Sequence, residues 1–281
     1  MFDASNFRFW ILDCRLRSPF PYVQSKIQNP KSKISSVVFG ITLALAAAPH
    51  VGAEPYVDHG AWDVLVRAHV NSEGVVDYAA LGQRRATLEA YLATLADADV
   101  ASLSRDEQLA FWINAYNACV VKGVLDRYPI KSVKEVKGFF DTIRYQVGGR
   151  LLTLNEIEAN GRALGDWRLH FAVVCASSSC PFLRNEAYVP ARLDAQLSDQ
   201  VRRFLADASR GLRVDGGVLW VSKIFKWYAK DVVPTGPMTA KTLIPVITPY
   251  LALVLAQALA PQQLTLKFMD YDWSLNALAQ R

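Results

Sequence analysis

The sequence predicts an α+β domain: a buried central helix packed on a small, mainly antiparallel sheet. Helical segments outnumber strand-like runs, two pairs of short runs flank Gly-Gly turns, and the two kinds do not alternate as regular βαβ units. Hydrophobic residues make up 52% of the 281, enough for a sizeable core and too many for global disorder.

Residues 58–70 place Trp62, Leu65 and Val66 at helical spacing and end at the turn Asn71-Ser72-Glu73-Gly74. A short strand is expected over 75–78. An amphipathic helix follows over 83–96, with Leu88, Tyr91, Leu92 and Leu95 on one face. Ser104 and Glu107 form a capping box, in which a hydroxyl and a carboxylate satisfy the open N–H groups of a helix start. The helix they open runs to about 127, ahead of Pro129. It is apolar nearly all round from 110 to 125, which makes it central.

Residues 143–147 and 150–152, joined by Gly148-Gly149, read as a β-hairpin. Thr153 and Glu156 are a second capping box, opening a helix that carries Glu158. Residues 168–174 form an almost unbroken apolar run and read as a strand buried on both faces. Pro190 suits the first turn of a helix through about 205. A hairpin of 212–214 with 218–221, a short helix over 222–231, a helix over 239–258 bent near Pro245 and Pro249, and a strand over 264–268 complete the chain.

The N-terminal 53 residues are read as an extension and signal peptide. Lys26, Lys31 and Lys33 precede an apolar run over 34–48, and Val51-Gly52-Ala53 offers small residues before Glu54, so cleavage is expected after Ala53. The run is short for a spanning helix and Pro49 interrupts it, so no stable membrane insertion is expected after cleavage. Residues 1–25 mix Phe, Trp, Pro and Cys, unlike the start of a signal peptide, and translation is expected to begin further along. Residues 54–281 are the single α+β domain, exported to the periplasm or secreted.

The formal charge of +5 invites a nucleic-acid reading, but its location removes it. Residues 1–53 hold six basic residues and two acidic ones, which leaves 25 basic and 24 acidic residues in the domain. That near-neutral balance gives no footprint for DNA, RNA or anionic lipid.

Three clusters carry candidate chemistry. Asn114 and Asn117 lie three apart on the buried central helix, where an unpaired amide would cost roughly 1–3 kcal/mol, so both need partners, structural or functional. His170, Cys175 and Cys180 form the densest reactive group, around a serine-rich turn. On a regular strand His170 and Cys175 point to opposite faces, so His170–Cys180 is the more feasible base–thiol pair. Cys175 also reads as a small buried hydrophobe, and Cys175 with Cys180 as a disulfide across a sharp turn. With no C-x-x-C pair and only His59, His69 and His170 in the domain, neither a metal nor another cofactor is expected. In the third cluster, residues 222–231, Phe225, Trp227 and Tyr228 read as core anchors and Lys226 as a packed stem. Glu158 reads as a residue that orients His170 or pairs with an arginine.

FWINAYNA (111–118), LTLNEIE (152–158), HFAVVCASSSCPFL (170–183), VSKIFKWYAKD (221–231) and YDWSLN (271–276) resemble, in this order, the motifs of the bacterial and plant family known as domain of unknown function 547. The resemblance covers about 100–276. It implies similarity to the papain and transglutaminase-like superfamily, with a thiol at the start of a central helix and a histidine on the following strand. His170 matches that histidine. The helix offers Asn114 and Asn117, with Cys119 further along, so the usual thiol is missing.

Two readings follow. In one, the chain is a thiol-dependent hydrolase or acyltransferase acting on a peptide, amide or small thiol ligand. Cys180 is then the nucleophile, with Cys175 as the other candidate, His170 is the base, and Asn114 or Asn117 is an oxyanion donor or imidazole-orienting group. In the other, it is a non-catalytic exported module with a Cys175–Cys180 disulfide.

Overall fold

In the computed structural model, which describes residues 56–259 and 263–279, three helices lead to the central one. They are α1 (Gly60–His69), α2 (Tyr78–Gly82) and α3 (Arg85–Ala96). The central helix, α4, spans Arg105–Leu125 and opens with the expected capping box. Ser104 Oγ accepts from the Glu107 N–H, and the Glu107 carboxylate accepts from the Ser104 N–H at 2.8 Å. From Leu109 to Leu125 every residue except Lys122 is buried. The principal neighbours of α4 are α3 and a following helix, α5, rather than a sheet.

The strands β1 (Arg144–Val147) and β2 (Arg150–Thr153) form the first hairpin. Gly148 and Gly149 turn it at φ 58° and 73°, a conformation that side chains with a Cβ resist. Their N–H groups bond the carbonyls of Leu95 and Ala96, closing the end of α3. Thr153 and Glu156 then cap α5 (Leu154–Arg162) reciprocally. After an irregular stretch come α6 (Leu193–Ala206) and a second hairpin, β3 (Leu212–Asp215) with β4 (Val218–Val221). Two short helices follow, α7 (Ile224–Trp227) and α8 (Ala229–Val232). The expected long helix keeps Pro245 inside α9 (Ala240–Ile247) and is interrupted at Pro249 by a 3-10 turn before α10 (Leu253–Leu259). The last strand, β5 (Thr265–Phe268), joins β4 in parallel, giving a mixed three-stranded sheet.

Two sequence expectations are corrected. Residues 75–78 contribute only two isolated bridges, from Val76 to Val70 and to Ala277, because Tyr78 begins α2. Residues 168–174 are not a strand: Trp167–Phe171 is a 3-10 turn and the chain then bends. Asp166 is the local cause. Its carboxylate accepts from the Arg168 N–H at 3.0 Å and holds the Arg168 guanidinium at 2.7 Å, so the chain winds at the point where a strand would begin. The apolar run does mark burial, but burial alone does not distinguish strand from turn.

The described residues belong to one unit, Gly52–Arg281, with two clusters of buried side chains. The larger surrounds α4. The smaller lies between α6, the mixed sheet and α7 to α9. Residues 167–183 run along the seam, with Leu169 and Val174 in the first cluster and Phe171 in the second. Among the described residues no helix is long and apolar enough to cross a membrane. The expected N-terminal leader lies outside the described residues.

A backbone without strand partners at the centre of a protein must find other ones. Asn117 accepts from the Val174 N–H and donates to the Ala172 carbonyl, each at 2.9 Å. Asn114 does the same for Tyr188, at 3.0 and 2.8 Å. From α6, Gln200 donates to the carbonyls of Phe171 and Phe182, and Gln196 joins the Ala187 carbonyl to the Val189 N–H. Each buried group left unpaired costs about 1–3 kcal/mol. Asn117→Ala orphans two, and should lower the unfolding free energy by about 2 kcal/mol or more. An unchanged urea midpoint would contradict this role.

Candidate functional site

The seam opens into a pocket of about 310 Å³. Cys175, Cys180 and Pro181 line it from the serine turn, His170 and Val173 from the segment before it, and Tyr116 from α4. Asn155 and Glu158 of α5, Ile224 and Trp227 of α7, and Tyr228 complete one side. Phe140, Tyr271 and Trp273 complete the other. The indole of Trp273 lies 4.8 Å from the ring of Tyr271 and 6.0 Å from Trp227, so much of the wall is aromatic.

The C-terminal segment holds the serine turn in place. Ser178 and Ser179 donate their backbone N–H groups to the carbonyls of Ser274 and Asp272, and Asn276 donates to the Ala176 carbonyl. Arg210 donates to the carbonyls of Ser178 and Cys180. Ala176 has φ 61°, a left-handed conformation that costs a residue with a Cβ of order 1 kcal/mol or more and that the surrounding bonds must maintain.

This turn brings the two cysteines together as free thiols, with their sulfurs 2.9 Å apart. Cys175 is partly exposed and Cys180 is buried. The Cys175 sulfur also lies 3.0 Å from Ser177 Oγ and 3.3 Å from Tyr271 Oη, and the Ser177 hydroxyl donates to Tyr271. With both thiols protonated, Cys175 donates to Cys180. When one proton leaves, the other is shared between the sulfurs, and the surroundings decide where the charge rests. Cys180 has the Cys175 N–H as a donor but is buried. Burial pushes the Cys175 thiol up, but hydrogen bonds with Cys180, Ser177 and Tyr271 outweigh it and hold this thiol below the ordinary cysteine value. Burial and the Cys175 charge push Cys180 well above that value. Tyr271 is likewise raised, by burial and by the two sulfurs, and stays a donor.

His170 is committed elsewhere. Its Nε2 lies 2.7 Å from Asp231 Oδ2, and its ring stacks on Tyr228 at 3.6 Å. Arg162 grips the same carboxylate through two bonds, of 2.8 and 3.0 Å, and with His170 keeps Asp231 ionised below the usual range. Burial pushes His170 down to about 4 despite Asp231, so at neutral pH the ring is uncharged. An uncharged ring facing a carboxylate carries its proton on Nε2, leaving Nδ1 as the acceptor. That Nδ1 is buried without a hydrogen-bond partner, and Glu158 Oε1 is 3.7 Å away. Burial raises the Glu158 carboxyl above its usual value.

Residues 100–205 match the family model described as "Protein of unknown function, DUF547". This segment is similar to that family. No curated protein and no solved structure matches the chain. All six residues singled out from sequence fall in the DUF547 segment: Asn114, Asn117, Glu158, His170, Cys175 and Cys180. Asp231, Tyr271 and the indoles of Trp227 and Trp273 lie beyond it, so the DUF547 segment supplies only part of the site.

Four of the six line the pocket, and two do not. Asn114 and Asn117 spend their amides on backbone and are neither oxyanion donors nor partners of His170. The expected His170–Cys180 bond is not made, because the imidazole turns to Asp231. Glu158 Oε1 lies 3.7 Å from His170 Nδ1 without a hydrogen bond between them. Cys119, buried in α4 with its thiol pushed up by burial, is the inert cysteine. Lys226 is exposed and does not line the pocket. Asp231, Ser177 and Tyr271 were not singled out from sequence. Each stands in or beside a motif, but its partner is 61, 2 or 96 positions away and depends on how the chain folds.

Two rings, those of His170 and His59, are buried neutral; His59 bonds Tyr91 Oη at 2.7 Å, and burial pushes it down to about 4. In the unfolded chain both titrate near 6.5. Between pH 6.5 and 4 the unfolded state therefore binds more protons, and stability falls as pH falls through that window, being complete above it. Urea midpoints should be lower at pH 5 than at pH 7.5, and His170→Gln should reduce the difference. Equal midpoints would contradict buried neutral rings.

Proposed function

We propose that this chain is an exported, thiol-dependent hydrolase or acyltransferase with Cys175 as nucleophile, acting on a small peptide, amide or acyl-thiol compound held in the aromatic pocket. The observation that carries the reading is the surroundings of the Cys175 sulfur. Cys175 is a partly exposed residue of the pocket wall, and its sulfur has Cys180 at 2.9 Å and the Tyr271 hydroxyl at 3.3 Å to stabilise its thiolate. The nucleophile therefore moves from Cys180, the first choice from sequence, to its neighbour.

In this reading the thiolate attacks a substrate carbonyl carbon and a thioester forms as the amine or thiol leaves with a proton. Water or a second acceptor then takes the acyl group. His170, with its tautomer set by Asp231 and Nδ1 free to accept, is suited to taking a proton from that water. Glu158, whose burial favours its protonated form, is suited to supplying one to the leaving group. The pocket volume lies at the small end of ligand sites, which favours a small compound over a long chain.

The alternative, a non-catalytic exported module with a permanent Cys175–Cys180 disulfide, draws on the same approach of the two sulfurs. Alkylation of the native protein separates the two. Cys175 should react with iodoacetamide, with a half-maximal pH below that of free cysteine, about 8.5, while Cys119 and Cys180 stay unlabelled. Cys175→Ala should abolish thioester formation with an activated ester probe. Asp231→Asn, which frees the imidazole tautomer, should lower turnover by about 10²–10⁴ with little change in KM. A Cys175 that resists alkylation unless first reduced would favour the module. For export, protein recovered from its native cells should begin at Glu54 by mass spectrometry; a retained leader would refute cleavage there.

A further inference from the structure

We infer that Cys175 and Cys180 are a redox-active dithiol that reduces the disulfides of small thiol compounds by exchange, ending as a Cys175–Cys180 disulfide. This activity goes beyond acyl transfer and does not rest on it. Three observations carry it. The sulfurs are 2.9 Å apart as free thiols, so reaching a covalent separation of about 2.05 Å needs under about 1 Å of movement. The backbone sets this approach, through the left-handed Ala176 and the bonds from Ser178, Ser179 and Asn276. The two thiols are also unequal. Both line the pocket, but Cys175 is partly exposed whereas Cys180 is 4% exposed. That asymmetry divides the labour of exchange between an attacking and a resolving thiol.

The chemistry balances without a cofactor. The Cys175 thiolate attacks one sulfur of the substrate disulfide, whose S–S bond breaks, and the first thiolate leaves and takes a proton from water. Cys180 then attacks the Cys175 sulfur of the mixed disulfide, breaking its bond to the substrate half. The second thiol departs with the proton given up by Cys180. Two protein thiols are oxidised and one disulfide is reduced to two thiols. The aromatic wall of Trp227, Tyr271 and Trp273 is a favourable environment for the sulfur atoms of such a substrate.

The test uses the full chain, reduced, freed of reductant and exposed to hydroxyethyl disulfide, then acid-quenched for intact and peptide mass. Wild type should lose two hydrogens, carry no adduct and yield a peptide cross-linked between Cys175 and Cys180. Cys180→Ala, and Cys180→Ser as a second replacement, should stop at a mercaptoethanol adduct on Cys175. Cys175→Ala should react at least about tenfold more slowly. A stable adduct on wild type, or a Cys175→Ala variant that reacts at the wild-type rate, would overturn the inference. The wild-type result decides even where a variant fails to fold. Ester cleavage is assayed in parallel: cleavage without exchange would overturn this inference alone, and exchange without cleavage would remove only the acyl-transfer reading.

Discussion

Four buried amides hold together the part of the molecule on which everything else depends. Residues 166–189 cross between the two apolar clusters without forming a strand or a long helix, so their peptide groups lack the usual ladder partners. Asn114 and Asn117 from α4, and Gln196 and Gln200 from α6, supply bonds from both sides. In an apolar interior such bonds are worth most when every member is satisfied, and a half-satisfied set would cost more than an apolar core. The capping box at Ser104 contributes from a distance, because it sets where α4 begins and so where its two asparagines meet the crossing chain.

The chemistry of the site follows from that crossing. A chain clamped at Ala172 and Val174 by one helix, and at Phe171 and Phe182 by another, has little freedom between. The turn carrying both cysteines is closed on its remaining side by the C-terminal segment. Proximity of the two sulfurs is therefore imposed by backbone, and burial divides them into an accessible thiol and an enclosed one. Burial works in the same direction on the other half of the pocket. It keeps His170 neutral against the pull of Asp231 and raises Glu158, so a carboxylate, an uncharged imidazole and a raised carboxyl stand side by side. Groups pushed apart in this way are the usual means of keeping acid and base chemistry available near neutral pH.

Much of this was legible before any coordinates. Both capping boxes, both Gly-Gly hairpins and the break at Pro249 follow from interactions within a few residues of each other. The central place of α4 follows from an apolar surface with no polar face. The misreading at 168–174 has an equally physical origin: an apolar run reports that a segment is buried, but not which partners its backbone will find. Asp166 and Asn117, one local and one 57 positions from Val174, made that choice together.

The sequence by itself determined the α+β class, the DUF547 resemblance, two capped helix starts and the two hairpins, and the cluster of histidine and cysteines in which the site lies, because these rest on short-range periodicity, turn geometry and residue chemistry. Only the tertiary structure decided that Asn114 and Asn117 serve the backbone, that His170 belongs to Asp231, and that the sulfurs of Cys175 and Cys180 meet beside Tyr271. Those outcomes depend on which groups meet across 55 to 96 positions and on how much water each retains, and neither quantity is carried by residue identity alone.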